Sequence, residues 1–467
     1  MKIGFARTEI TPPIGTYLSG QLLPVKAINI ESPLYATAMC LDDGTAGVLL
    51  CSCDILMIPN QLNVQICSDV AKTTGLPKNN IVVCATHIHS GPNVAEVFGK
   101  GANEKYIKEF RRNLTEVMKK AWAVRQEGIL KTVKGNLPGL AFNRRFVMSS
   151  GTVETHPLKC NPHIVQAEGP DSKQLDVLYA CNVRGKPLGA AIVFGCHATV
   201  MERDNKRISS DYPGKASGGL ARRLGKNAKV LFLQGASGNI CQVNPRDTSR
   251  YEVGLSWAKR MGREIAACAF ELIEEKAKAV SGRVRILNKT IHIPCRNIYP
   301  GLLSWARKHK KNRPVDIPSL SNYGVEKYGQ ARPPVMALED VFKTQFWADF
   351  YADEIKTMER LRRKEPNVEF TIKVIAIGDW SLVALPCELF VEWAGIIRSY
   401  SPFKYTMVVE LANGWNGYVP TPKAFERSGG YETKELSTTM LVPEAGSMIV
   451  ECVINMLHAA KRLRTAR

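Results

Sequence analysis

Two histidines stand one residue apart at the end of an apolar run, in Ile81-Val82-Val83-Cys84-Ala85-Thr86-His87-Ile88-His89-Ser90-Gly91-Pro92. The run reads as a β-strand, and Ser-Gly-Pro as the turn that stops it. Residues i and i+2 of an extended segment share a face, which predicts that His87 and His89 look into one cavity. Neutral imidazole is a good zinc ligand, so the pair is a candidate half of a metal site or a catalytic pair. The alternative is two polar loop histidines, and partners elsewhere in the chain must decide.

Residues of the right type follow other apolar runs. The runs 190–196, 230–233, 381–385 and 407–411 lead to His197, to Ser237-Gly238-Asn239, to Glu388 and to Tyr418. Sites in α/β sheets gather at the carboxyl ends of strands, so the pattern predicts one pocket assembled from distant segments. Two histidines, a carboxylate and one further oxygen ligand satisfy a catalytic zinc and leave room for water. His197 also reads as a satisfied core histidine, and Glu388 as the N-terminal residue of a helix over 389–397. His156 and His163 lie in a stretch, 151–173, rich in Pro, Gly and Asn, and read as surface loop histidines.

These side chains need a scaffold. Short apolar runs alternate with helical patterns at about 61–75, 105–126, 211–224, 251–279 and 447–464. Asp211 is placed to cap the third of these. The alternation predicts an α/β fold, a mixed β-sheet core flanked by helices, with the active site at the carboxyl ends of several strands. A basic, aromatic, proline-punctuated stretch at about 294–366, with a helix over about 338–364, reads as an insertion or lid-like segment. On this reading residues 1–467 form a single catalytic domain without an internal repeat.

Lys and Arg number 63 against 43 Asp and Glu, a formal charge of +20 that favours acidic partners such as an anionic membrane surface. Outside short clusters at 307–311 and 362–364 the basic residues are scattered, and no nucleic-acid motif accompanies them. The charge therefore reads mostly as a solvated surface, with peripheral membrane contact and no nucleic acid among the expected partners. The thirteen cysteines are spread out, and Cys84, Cys196 and Cys268 lie in apolar runs as small hydrophobes. That usage suits a reducing compartment. The N-terminus lacks the apolar region of a signal peptide and no stretch is long enough to span a bilayer, so the expected location is cytoplasmic.

The segment Thr86-His87-Ile88-His89-Ser90-Gly91-Pro92 resembles the THTHSGP motif of the neutral/alkaline (non-lysosomal) ceramidases. Four further segments resemble that family in the same order: Asn143-Arg144; Phe194 to Thr199 with Ser209-Ser210-Asp211; Leu385-Pro386-Cys387-Glu388; and Asn416 to Val419 with Gly430-Tyr431-Glu432. The resemblance spans nearly the whole chain and corresponds to the family's N-terminal catalytic domain. It implies His87, His197, Glu388 and Tyr418 as Zn2+ ligands and His89 as the residue assisting proton transfer. It also implies that Arg144 and Tyr431 contact the substrate amide or its tetrahedral intermediate.

The departures bear on the substrate. The family's GDVSPN segment, with a serine proposed to help catalysis, corresponds to Gly238-Asn239-Ile240-Cys241-Gln242-Val243-Asn244-Pro245. Cys241 takes the place of that serine, or the serine is lost through a small insertion; Ser237 in the same loop is a candidate substrate contact. Cys387 stands where the family has Gly. The chain stops short of the family's C-terminal immunoglobulin-like domain. The implied function is zinc-dependent hydrolysis of an N-acyl (amide) bond in a small-molecule or lipid substrate, ceramide-like by resemblance. The rivals are a zinc hydrolase of a small soluble amide or ester and a catalytically silent binding homologue.

Overall fold

The computed structural model describes residues 1–21, 24–95, 102–201, 206–309 and 344–463. The chain builds one topology three times. The first unit has strands β1 (Lys2–Glu9), β2 (Tyr35–Asp42), β3 (Gly47–Cys53) and β4 (Ile81–Ala85), with helices α1 (Asn60–Thr74) and α2 (Glu104–Ala123). The second has β5 (Gln126–Asn136), β6 (Gln174–Asn182), β7 (Pro187–Phe194) and β8 (Lys229–Gln234), with α3 (Asp211–Leu224) and α4 (Gly254–Lys276). The third has β9 (Arg285–Pro294), β10 (Asn367–Ile377), β11 (Trp380–Ala384) and β12 (Tyr405–Val409), with α5 (Val391–Ser399) and α6 (Ala445–Arg462).

Within each unit the first two pairings are antiparallel and the last is parallel. A parallel pair needs a crossover, and α1, α3 and α5 supply it. The first two sheets join through a short β1–β5 pairing, Lys2↔Glu127 and Ile3↔Gln126, and Lys278–Val280 adds to β5 to complete nine strands. The expected α/β class with mixed sheets and flanking helices holds. The expectation of no repeat is corrected at the level of topology. Each unit needs only apolar faces in the right order, so the same path is written in unrelated residues.

The inner faces of all three sheets meet in one core, with Leu41, Leu50 and Val82 from the first, Val193 and Leu231 from the second, and Leu382 and Met407 from the third. Helices cover the outer faces, α1 to α4 over the first two units and α5 and α6 over the third. Strands β3 and β4 are thus buried on both sides, which is why they are apolar throughout. Each core leucine removed from water contributes about 2 kcal/mol. Strand β9, unforeseen from sequence, is an edge strand whose Lys289 and His292 interrupt its apolar pattern.

The stretch 294–366 connects the first and second strands of the third unit. Its described parts form two helices, Pro300–Lys308 and Gln345–Lys364, packed through Ala306, Ile355 and Met358. The expected helical residues 338–343 lie outside the described residues. All thirteen cysteines are free thiols. Among the described residues no helix is long and apolar enough to cross a membrane.

The repeat determines where chemistry collects. The third and fourth strands of each unit run parallel, so their carboxyl ends open on the same edge. His87 and His89 follow β4, His197 follows β7, Ser237 follows β8, Glu388 follows β11 and Tyr418 follows β12. Each unit therefore contributes candidate ligands to one central place.

Candidate metal centre

Strand β4 ends at Ala85 and the chain runs on beside the residues that follow β3. Thr86 N–H donates to Cys53 O at 2.9 Å and His87 N–H to Ile55 O at 3.0 Å. His87 has φ of 65°, a left-handed conformation, so it is not part of an extended segment. The same-face argument is corrected here. The two rings share a cavity because a strained turn brings them together, with centroids 5.1 Å apart and planes at 81°.

Backbone carbonyls orient two of the imidazoles. His87 Nδ1 lies 2.9 Å from Leu56 O and His197 Nδ1 lies 2.7 Å from Ser237 O. A ring whose Nδ1–H is held by a carbonyl offers its Nε2 lone pair, the usual state of a metal ligand. The two Nε2 atoms face each other at 3.1 Å. Glu388 Oε2 stands 3.3 Å from the first and 3.2 Å from the second, with no hydrogen-bond donor of its own. Ligand atoms bound tetrahedrally to zinc at about 2.0–2.1 Å are separated by roughly 3.3 Å. The two lone pairs and the carboxylate oxygen, all on buried residues, match that spacing, so the donor set fits zinc.

Electrostatics favour the same reading. Burial, reinforced by the Arg144 charge, pushes His197 down to about 4. Burial alone would raise the Glu388 carboxyl, but His87 and His197 outweigh it and hold the group well below the usual range. Neutral imidazole and ionised carboxylate are the metal-binding forms.

Glu388 and Tyr418 are brought together by a pairing too short to read from sequence. The two-residue strands Glu388–Leu389 and Tyr418–Val419 run parallel with Glu388 opposite Tyr418. The Tyr418 hydroxyl lies 3.5 Å from His197 Nε2 and accepts from Arg144 Nη2 at 3.2 Å. Trp415, unremarked in the sequence as a site residue, donates Nε1–H to Glu388 Oε1 at 2.9 Å and fixes the carboxylate. Trp415→Phe is expected to weaken zinc binding about 10- to 100-fold with little loss of stability, measured by competition with a chromophoric chelator.

His89 sits outside the closest donor set. Its ring is 5.1 Å from His87 and 6.0 Å from His197 between centroids, although ligand atoms of all three lie within 4.8 Å of one another and could hold an ion. His89 Nδ1 is 3.2 Å from Gly20 O, while Nε2 is buried without a partner. Burial and the neighbouring His87 and His197 hold the ring well below its ordinary pKa. Gly20 has φ of 71°, and a Cβ there would meet His89 Nδ1 at 2.2 Å. Gly20→Ala is therefore expected to displace His89, lowering kcat about 100-fold while zinc content stays at one equivalent.

Arg144 and its neighbour form a buried ionic network. Arg144 Nε donates to Glu432 Oε1 at 2.7 Å and Nη2 to Gly238 O at 2.8 Å. Arg145 Nη1 donates to Glu432 Oε2 at 2.7 Å and Nε to Glu168 at 2.5 Å. Burial opposes the Arg144 charge, but Glu432 and Tyr418 more than compensate and raise its pKa. The Tyr431 ring packs edge-on to Tyr418 at 5.8 Å.

The remaining candidates divide. The Ser237 hydroxyl is fully buried, donating to Glu410 Oε1 at 2.5 Å and accepting from Gln234 Nε2 at 2.9 Å. Its carbonyl orients His197, while its hydroxyl is committed to the interior. Cys241 is buried, its thiol directed to Val243 O at 3.6 Å and pushed up to about 12 by burial. His163 bonds Ser149 at 3.1 Å in an exposed turn, as expected of a surface histidine. His156 is corrected: it has φ of 54°, its N–H donates to Arg144 O at 2.8 Å, and burial with the Arg144 charge pushes its ring down to about 3. Asp211 accepts from Tyr212 N at 2.5 Å and Met201 N at 3.0 Å, so it ties the helix start to the His197 loop besides acting in the first turn.

Residues 2–254 match the sequence pattern of the "Neutral/alkaline non-lysosomal ceramidase, N-terminal" family, more than half of the chain. The chain belongs to the neutral/alkaline non-lysosomal ceramidase family. Neutral ceramidase of Pseudomonas aeruginosa is 28% identical over 276 residues, 56% of this chain and 40% of that protein. Neutral ceramidase A of Dictyostelium discoideum is 25% identical over 229 residues, 46% of this chain and 31% of that protein. The matched stretches thus span less than half of either relative. The crystal structure of the Pseudomonas aeruginosa neutral ceramidase superposes with a TM-score of 0.71 at 18% identity, covering 100% of this chain and 75% of that one. The ceramidase fold therefore extends through all three units, beyond the part of the chain that the family pattern covers.

Proposed function

We propose that the chain is a zinc-dependent amidohydrolase that cleaves an N-acyl bond, with a ceramide-like lipid as the substrate class. The observation that carries the reading is the convergence of His87 Nε2, His197 Nε2 and Glu388 Oε2 within 3.1–3.3 Å in a buried pocket. These three residues with Tyr418 would hold the metal. Zinc bound there supplies Lewis acidity towards a carbonyl and a water that ionises near neutral pH.

The chain's own groups supply the rest. Amide nitrogen leaves only when protonated, and His89 Nε2, unpartnered beside the donor set, carries a proton to it. Arg144, fixed by Glu432 and Gly238, presents a permanent positive charge beside Tyr418 to the oxyanion that develops on the substrate. Tyr431 closes the same wall. Cys241 plays no nucleophilic part, and Cys241→Ala is expected to leave turnover within about threefold of the parent.

The family supports an amide-bond hydrolase, and the names of the two relatives support ceramide as its substrate. Hydrolysis of long-chain N-acylsphingosine and of short N-acyl amines, assayed side by side, tests the substrate class. Activity on the long-chain lipid alone is expected; activity confined to the short amines would transfer the reading to a small soluble amide.

A further inference from the structure

A second concave site lies away from the metal centre, on the outer face of the nine-stranded sheet under α3 and α4. It is a cavity of about 730 Å³, within the range of small-molecule sites. Arg7, Lys215, Arg222, Arg223, Lys259 and Arg263 line it, against one carboxylate, Asp54. Of these cations Lys215 is neutralised by Glu31 at 2.7 Å. The other five make no ion pair with a carboxylate among the described residues; Arg7 instead stacks over Tyr35 at 3.3 Å and Arg223 over Phe270 at 5.8 Å. Asp54 offsets only part of that charge, interacting with Arg7. One of its oxygens accepts from Tyr35 N at 2.9 Å and the other from the Thr86 hydroxyl at 3.3 Å.

Like charges repel, and a concave surface focuses their field towards its centre. These cations come from three elements, β1, α3 and α4, and line one cavity. The wall between them is kept open by the helix itself: Gly214 and Gly218, one turn apart on α3, line the cavity without side chains. A Cβ at Gly218 would meet nothing nearer than Arg222 Nη1 at 3.4 Å. Ser32 and Ser217 also line the wall, their hydroxyls donating to Glu31 Oε2 at 2.7 Å and to Pro213 O at 2.9 Å. Guanidinium groups lining one cavity are donors suited to phosphate oxygens.

We propose that this cavity binds a phosphate-bearing anion, distinct from the substrate of the metal centre. A soluble phosphate compound and the phosphate of a lipid head group present the same chemistry to it. The protein is titrated calorimetrically with inorganic pyrophosphate and, separately, tested by flotation with phosphatidylcholine vesicles containing phosphatidylglycerol. The comparison variant is Arg222→Gln/Arg263→Gln; both side chains are exposed, so its melting temperature should match the parent. His87→Ala controls for anion binding at the metal.

One pyrophosphate site is expected, weakened at least about tenfold in the double variant and retained in His87→Ala. Vesicle binding lost in the same double variant, with pyrophosphate silent, supports the site with a lipid head group as its source. Binding that survives in the double variant, disappears in His87→Ala, or is absent with both probes would overturn the proposal.

Discussion

Replacing Glu388 by alanine is expected to lower zinc content below about 0.1 equivalent and kcat/KM by at least about 10³, the equivalent of roughly 4 kcal/mol of transition-state stabilisation. The size follows from the arrangement of three donor atoms from three structural units. His87 arrives from the first unit, His197 from the second and Glu388 from the third, and their donor atoms meet within 3.1–3.3 Å. Without the carboxylate, the two imidazoles and the Tyr418 hydroxyl remain, a set that has lost its one carboxylate ligand for a divalent cation. The alanine also leaves Trp415 Nε1 without its acceptor. Metal analysis and turnover measured on the same preparation check the result. A variant that kept a full equivalent of zinc would show that His87, His89 and His197 hold the ion by themselves.

The second large effect concerns Glu432. Its two carboxylate oxygens bind Arg144 and Arg145 at 2.7 Å each, and the Thr155 hydroxyl donates to one of them at 2.8 Å. All of this lies in the interior, where an unpaired charge is expensive. Glu432→Gln is expected to destabilise the protein by about 3–5 kcal/mol, read from urea unfolding, because it leaves the buried Arg144 guanidinium without a carboxylate and Arg145 with Glu168 alone. A loss below about 1 kcal/mol would mean the network is not closed as described.

The same residue makes a pH prediction. Burial alone would raise the Glu432 carboxyl, but Arg144 and Arg145 pull it from 4.5 down to about 2. A depressed folded pKa stabilises at pH above the unfolded value and loses that contribution as pH falls through the folded one. About 3 kcal/mol is therefore present above pH ~4.5 and lost progressively towards pH ~2. The Gln variant should lose stability less steeply over that window, measured as the unfolding free energy between those limits.

The candidate ligands were legible in the sequence because strand ends announce themselves. His87, His197 and Glu388 each follow an uninterrupted apolar run, and motif order linked them. Proximity was less legible. Glu388 and Tyr418 meet through a pairing of two residues on each side, too short to carry any periodicity. His87 reaches its partners through a left-handed turn that an extended-strand argument cannot supply. His156 sits in a stretch whose Pro and Gly content reads as surface, yet it is half-buried, its backbone is tied to Arg144 and its ring feels the Arg144 charge. The threefold topology left no trace as a repeat in residue type. Sheet order depends on which faces are apolar, and many sequences satisfy that.

Glu410 shows the same limit. It is fully buried, and its oxygens take the Ser237 hydroxyl at 2.5 Å and Leu389 N–H at 2.7 Å. Burial, aided by the neighbouring Glu388 charge, pushes its carboxyl well above the ordinary range. In the sequence it is one polar residue at the end of a β-strand. In the fold it joins the β8 loop that orients His197 to the backbone that carries Glu388.

The most direct test of the central claim is hydrolysis of long-chain N-acylsphingosine by one preparation in three states: as purified, stripped by a chelator, and reconstituted with one equivalent of Zn2+. Release of fatty acid and free amine that disappears on stripping and returns with zinc is the predicted result. Hydrolysis indifferent to the metal, or none from protein carrying a full equivalent of zinc, would contradict the account.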